Sequence, residues 1–128
     1  MVRTTAQVRR IVREYVKALE PLIHVERVIL YGSYARGTPH EWSDIDLAVI
    51  SRNFASKDRW NRQIILAKAD SINPALRGAM IEALGYSVGE YTRAERQTFL
   101  GEIKRTGKTI YKHRKPSKKI QSSRRSRA

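Results

Sequence analysis

The 128-residue chain has no cysteine. That excludes disulfide frameworks and thiolate zinc sites, and suits a reducing compartment such as the cytoplasm. Its three histidines, His24, His40 and His113, are scattered without metal-ligand spacing, so a histidine-built metal site is not expected. No apolar run approaches the roughly 18 residues needed to span a membrane. The opening "MVRTTAQVRR" lacks the apolar core of a secretory signal, and no membrane partner is expected. Acid is scarce: 12 Asp and Glu stand against 26 Lys and Arg, a formal charge of +14. The excess is uneven, because residues 112–128, "KHRKPSKKIQSSRRSRA", hold eight Lys or Arg and no acid, leaving 18 against 12, or +6, for the rest. This segment is expected to be a disordered tail. It reads either as a loose arm for nucleic acid or another polyanion, or as a solubilising tail. Residues 1–111 are expected to form one domain.

Within that domain, "TTAQVRRIVREYVKALEPL" carries Val8, Ile11, Val12, Tyr15, Val16 and Leu19 on one helical stripe. Thr4 and Gln7 match a capping box and Pro21 a stop. "VERVILYG" reads as a buried strand ending at glycine, and "SYARGT" as one helical turn. "SDIDLAVIS" is a second strand, with Ile45, Leu47 and Val49 on one face and Asp44, Asp46 and Ala48 on the other. "SKDRWNRQIILAKADSI" predicts a helix with Trp60, Ile64 and Ala67 facing inward. "AMIEAL" reads as a third strand closed by Gly85. "TRAERQTFLGEIKRT" reads as a last helix, boxed by Thr92 and Glu95, with Phe99, Leu100 and Ile103 inward. "KTIY" is an expected edge strand. The order implies an α/β (α+β) domain, a small mixed sheet packed against helices.

Asp44 and Asp46 are the most informative residues. Strand positions i and i+2 share a face, with Cα atoms roughly 6.5–7 Å apart. Two carboxylates so placed raise each other's pKa unless something neutralises them. They can be a solvated strand end, or they can hold a divalent cation. Mg²⁺ suits carboxylate oxygens and is completed by water and substrate phosphate. Two such ions, ~3.5–4 Å apart, are a known arrangement for in-line displacement at phosphorus. Upstream, Gly32 and Ser33 follow a strand and begin a turn. Glycine lets a phosphate approach the backbone closely, and N–H groups at a helix start favour an anion.

Gly32-Ser33, ten intervening residues, then Asp44-Ile45-Asp46 resembles the GSx₁₀DxD signature of the DNA polymerase β-like nucleotidyltransferases. "GSYARGTPHEWSDIDLAVI" is similar to the minimal nucleotidyltransferases of bacteria and archaea. The likeness is strongest from Val28 to Ile50 and extends weakly to about Tyr111. The resemblance implies that Gly32 and Ser33 hold a nucleoside triphosphate and that Asp44 and Asp46 bind Mg²⁺, with two ions allowed. It also implies a third acidic residue on a later strand. Glu82, the only acid on the third expected strand, fills that role, in a stretch similar to the family's "IEP" segment with Ala83 in place of proline. The alternative for Glu82 is an ordinary exposed strand glutamate. Glu90 and Glu95 fall on expected helix or loop.

Arg36 either reaches a phosphate, pairs with a strand aspartate and orients it, or forms a structural salt bridge at the turn. Ser43 reads as a loop cap. Trp42, in a polar loop beside the aspartates, is a candidate for base or partner contact, whereas Trp60 reads as core. The resemblance implies transfer of a nucleoside monophosphate, AMP from ATP, to a hydroxyl. It further implies an antitoxin-like role, with a tyrosine of a helical HEPN-type toxin as acceptor. No acceptor-binding second domain is expected at this length, and a homodimer is an alternative way to complete the pocket. Two other readings stay open: a nucleotidyltransferase directed to RNA through the basic tail, and a non-catalytic antitoxin that acts by contact.

Overall fold

The computed structural model describes residues 2–114. The expectation of a disordered tail falls almost wholly on residues outside that range. Helix α1 (Thr5–Leu19) starts at the capping box read from the sequence: Gln7 N–H donates to Thr4 Oγ1, and Thr4 N–H donates to Gln7 Oε1. The other elements are β1 (Arg27–Tyr31), α2 (Gly32–Arg36), β2 (Ile45–Ile50), α3 (Arg59–Ile72), β3 (Ile81–Tyr86), α4 (Val88–Arg93), α5 (Phe99–Thr106) and β4 (Lys108–Lys112), with 3₁₀ turns at Arg52–Ser56 and Pro74–Leu76.

The four strands form one mixed sheet in the order β3-β2-β1-β4. β1 runs antiparallel to both β2 and β4, and β2 runs parallel to β3. A parallel pair needs a long crossover, and α3 supplies it. Ile45, Leu47 and Val49 of β2 face the larger core with Val8, Val12, Tyr15 and Leu66. Ala48 and Ile50 face a smaller cluster with Ile29 and Ile103. Both faces of β2 are therefore covered, which is why its run "LAVI" is apolar without interruption. Tyr15 Oη donates to the Leu66 carbonyl at 2.9 Å, locking α1 to α3. No helix among the described residues is long and apolar enough to cross a membrane.

Three expectations need correction. Trp60, Ile64 and Ala67 do not face inward. Trp60 is 73% exposed, and the buried residues of α3 are Leu66 and Ala69, with Ile65 partly covered. The inward positions are Arg62, Ile65, Leu66 and Ala69, at i, i+3, i+4 and i+7. Arg62 sets this rotation. Its guanidinium donates to the carbonyls of Lys57 (2.9 Å), Phe54 (2.7 Å) and Gly85 (3.1 Å) and to Glu90 Oε1 (2.7 Å). Gly85 does not close β3, which continues to Tyr86. Glycine is required there because the Phe54 ring lies over it, 2.7 Å from where a Cβ would stand. The last helix is two helices. Ser87 and Glu90 form the capping box of α4, and Thr98 caps α5. Thr92 lies inside α4, and Phe99 is 55% exposed rather than inward.

Arg62→Met is expected to cost about 3 kcal/mol in urea unfolding, because three carbonyls lose a charged donor at once. Glu90→Gln should cost much less. Glu90 is the more exposed partner, and the carbonyls would keep their donor. Equal losses from the two changes would show that the ion pair, not the carbonyl set, carries the contribution. Burial pushes the Glu90 carboxyl up, but hydrogen bonds from Ser87 and Arg62 outweigh it and hold the group below its usual 4.5. Its contribution is therefore present above that value and fades as pH falls through the lower folded one.

Candidate functional site

The site is built where β1 turns into α2. Tyr31 ends the strand, and Gly32 takes φ +74°, a backbone state that a side chain disfavours. α2 then begins with no side-chain cap. Register does the rest. Asp46 lies opposite Tyr31 on β1 and opposite Glu82 on β3. Tyr31, Asp46 and Glu82 thus form one row across three strands, on one face of the sheet. Neighbouring strands are about 4.8 Å apart, so Asp46 and Glu82 are immediate neighbours. Asp44 lies two residues earlier, just before β2 begins. Ile45 N–H donates to the Met80 carbonyl at 2.9 Å, tying the starts of β2 and β3 together beside it. The loop before Asp44 is closed by Ser43, whose Oγ accepts from His40 N–H at 2.8 Å. Ser43 is thus a loop cap, as expected.

Gly32 and Asp46 are in direct contact. A Cβ on Gly32 would run into Asp46 Oδ2 and stand 3.0 Å from its Cγ. The glycine that opens α2 and the central carboxylate of the row therefore share one small space.

No cation among the described residues pairs with the charges in that space. Burial, then the Glu82 and Asp44 carboxylates, push the Asp46 carboxyl from 3.8 up to about 6, against a smaller opposing effect of Arg36. The ion pairs among the described residues involve none of the three carboxylates. Arg36 acts on Asp46 only at longer range and is in none of these ion pairs, so neither the aspartate pairing nor the turn salt bridge considered for it forms among the described residues. Tyr31 is pushed up by burial and then by Asp46, and its phenol stays protonated.

A divalent cation is the simplest neutraliser of such a cluster. Among the described residues no three His, Cys, Asp or Glu side chains converge as a ready-made cage. A cage is not required, since Mg²⁺ is typically bound by one or two carboxylates together with waters and substrate phosphates. The acidic donors, their unpaired state and the raised Asp46 pKa fit a hard cation.

The structure sets Gly32 against Asp46, places Glu82 opposite Asp46 on β3, and leaves Asp44 near enough to raise the Asp46 pKa, with Ser33 and Arg36 on the adjoining helix. Trp42 is 73% exposed in the loop before Asp44. Trp60, on α3, is on the surface rather than in the core. Sequence reasoning missed Tyr31 as a member of the row. Its signal was position: it immediately precedes Gly32, so any antiparallel pairing that centres on the two strands sets it near the aspartates.

Comparison with known proteins bears on the family and the fold. The profile of the nucleotidyltransferase domain family matches residues 9–122. Two Methanocaldococcus jannaschii proteins, each named as a candidate protein adenylyltransferase, are similar over shorter stretches. One is 54% identical over 39 residues, 30% of this chain and 26% of the relative. The other is 40% identical over 47 residues, 37% of this chain and 47% of the relative. The matched stretches thus span about half or less of those relatives. Among solved structures, a candidate nucleotidyltransferase from Sulfolobus solfataricus superposes with a TM-score of 0.61 at 17% identity, over 84% of this chain and 83% of that one. A toxin–antitoxin structure with AMP-PNP superposes with a TM-score of 0.55 at 24% identity, over 80% and 73%. At such identities these two likenesses concern the fold. On the extent of the profile match, this chain belongs to the nucleotidyltransferase domain family.

Proposed function

We propose that the chain transfers AMP from ATP to a hydroxyl of a protein partner, with Asp44, Asp46 and Glu82 as its catalytic and Mg²⁺-holding carboxylates. The observation that carries this reading is the row Asp46–Glu82 set against the Cα of Gly32, with no cation side chain among the described residues paired to it. Gly32 and Ser33 would hold the triphosphate by backbone N–H groups and the Ser33 hydroxyl, and Arg36 would offset phosphate charge from α2. Mg²⁺, when bound, would neutralise charge on the phosphates and make the acceptor hydroxyl more acidic. The acceptor oxygen forms a bond to the α-phosphorus as the bond to pyrophosphate breaks. Glu82, exposed beside Asp46, is suited to take the hydroxyl proton. The chain's own share is then position and electrostatics, with no covalent enzyme intermediate.

The kind of relatives this chain has supports a protein acceptor. Candidate protein adenylyltransferases and a toxin–antitoxin neighbour both favour a protein hydroxyl, and a tyrosine of a helical HEPN-type toxin is the specific acceptor we propose. The test is incubation with each α-labelled nucleoside triphosphate, Mg²⁺ and a co-purified partner. Label from ATP alone on a partner tyrosine is the expected result. Label on RNA instead would support an RNA-directed enzyme. No label, with neutralisation of the toxin unaffected by Asp44→Asn plus Asp46→Asn, would leave a contact-only antitoxin.

A further inference from the structure

Beside Gly32 a cavity of about 500 Å³ runs between α2 and α5. The catalytic reading uses only its Gly32 and Arg36 end. The other end is formed by Phe99, Glu102, Ile103 and Arg105 of α5. Phe99 meets Tyr31 edge-on, with ring centroids 5.7 Å apart and planes at 88°. An edge-on contact leaves the face of one ring free, and Phe99 is 55% exposed although it is a large apolar side chain on a helix whose neighbours Leu100 and Ile103 are buried. An exposed aromatic in a cavity that opens on a phosphate cradle is the arrangement that receives a planar base.

Charge fixes which way a nucleotide would lie. The α2 end carries Arg36 and backbone N–H groups, and the Asp46 carboxylate beside Gly32 is where Mg²⁺ would meet a triphosphate. On the α5 side Glu102 and Arg105 offset one another, so that half is close to neutral overall. A triphosphate is drawn to the first end, and an uncharged base and ribose fit the second. The cavity is also large enough for a nucleoside and follows α2, whose five residues span about 7.5 Å.

We propose that this α5 half of the cavity is the nucleoside subsite, with Phe99 as the stacking platform that binds the base. The inference rests on the nucleotidyltransferase reading above and adds the residue that recognises the base end of the donor. Phe99 is a binding residue and takes no part in the chemistry. The free face of its ring sets the preference for a base over empty solvent, and replacing it should change affinity for the nucleoside half alone.

The test compares two ligands on the full chain in the presence of Mg²⁺: ATP, and inorganic tripolyphosphate, which has no base. In equilibrium binding, Phe99→Ala should weaken ATP by about tenfold, the scale of one base–aromatic stack, while leaving tripolyphosphate within twofold. Phe99→Trp, which keeps a stacking face, should retain ATP affinity. A thermal melt checks that each variant is folded; the exposure of Phe99 predicts small shifts. An equal loss for both ligands would overturn the proposal, since it would mean that Phe99 supports the phosphate end. Unchanged ATP binding with a raised KM for the protein acceptor would overturn it too, assigning the α5 half to the acceptor. Failure of the wild-type chain to bind either ligand would instead remove the nucleotidyltransferase reading on which the subsite depends.

Discussion

Asp46→Asn is expected to lower nucleotidyl transfer by about 10³-fold or more and, in the absence of divalent cation at pH 7.5, to leave the fold as stable as the parent or more so. The two halves of this result have one cause. Burial and the carboxylates of Glu82 and Asp44 raise the Asp46 pKa from 3.8 to about 6. The folded protein therefore holds that proton more tightly than the unfolded chain does. The associated stability is fully present below about 3.8 and is lost as pH rises through about 6. Above that, the ionised side chain is a cost that the metal-free fold bears, and asparagine removes it without a change of shape. Thermal melts in EDTA at pH 3.5 and pH 7.5 measure this directly. The variant should gain on the parent at the higher pH and not at the lower. Adding Mg²⁺ at pH 7.5 should raise the melting temperature of the parent and leave that of the variant nearly unmoved. A variant that loses activity and is also less stable in EDTA at pH 7.5 would point to a structural role for Asp46, and the catalytic reading would fail with it.

The site was more legible in the sequence than the packing around it, for a physical reason. Strand periodicity sets Asp44 and Asp46 on one face whatever the strand pairs with, and a glycine before a helical turn speaks for itself. Glu82 was reached through the family resemblance, which implies a third acid on a later strand, and it is the one acid on that expected strand; the parallel register sets it opposite Asp46. What could not be read was set by distant partners. Arg62 looks like a solvent-facing cation in a helical stripe. Its partners come from the 3₁₀ turn, the loop after it, β3 and α4, and together they turn α3 so that Trp60 faces out. The error over α4 and α5 was local. Ser87-x-x-Glu90 and Thr92-x-x-Glu95 both match a capping box, and the first is used, strengthened by the Glu90–Arg62 pair. Phe99 was misread because α5 docks through Leu100, Gly101 and Ile103, which leaves Phe99 at the edge of the stripe expected for it.

Gly32→Ala is expected to cost about 1–2 kcal/mol in stability and at least about 10²-fold in transfer, and the two losses can be separated. The first follows from backbone: an alanine at φ +74° sits in the left-handed region. The second follows from contact, because the new methyl would occupy the place of Asp46 Oδ2. Asp46 must then rotate or the β1–α2 turn must shift, and a misplacement near 1 Å at a reacting group costs on the order of 10² in rate. Gly37 provides the control. It has nearly the same backbone angle, φ +75°, but no atom within 4 Å of where its Cβ would stand. Gly37→Ala should therefore lose a similar amount of stability by urea unfolding while keeping transfer within a few-fold of the parent. If the two variants lose activity equally, backbone strain at α2 is the cause, and the contact between Gly32 and Asp46 has no part in catalysis. If Gly32→Ala is destabilised yet fully active, the carboxylate has room to move without consequence, and Asp46 is not the centre of the reaction.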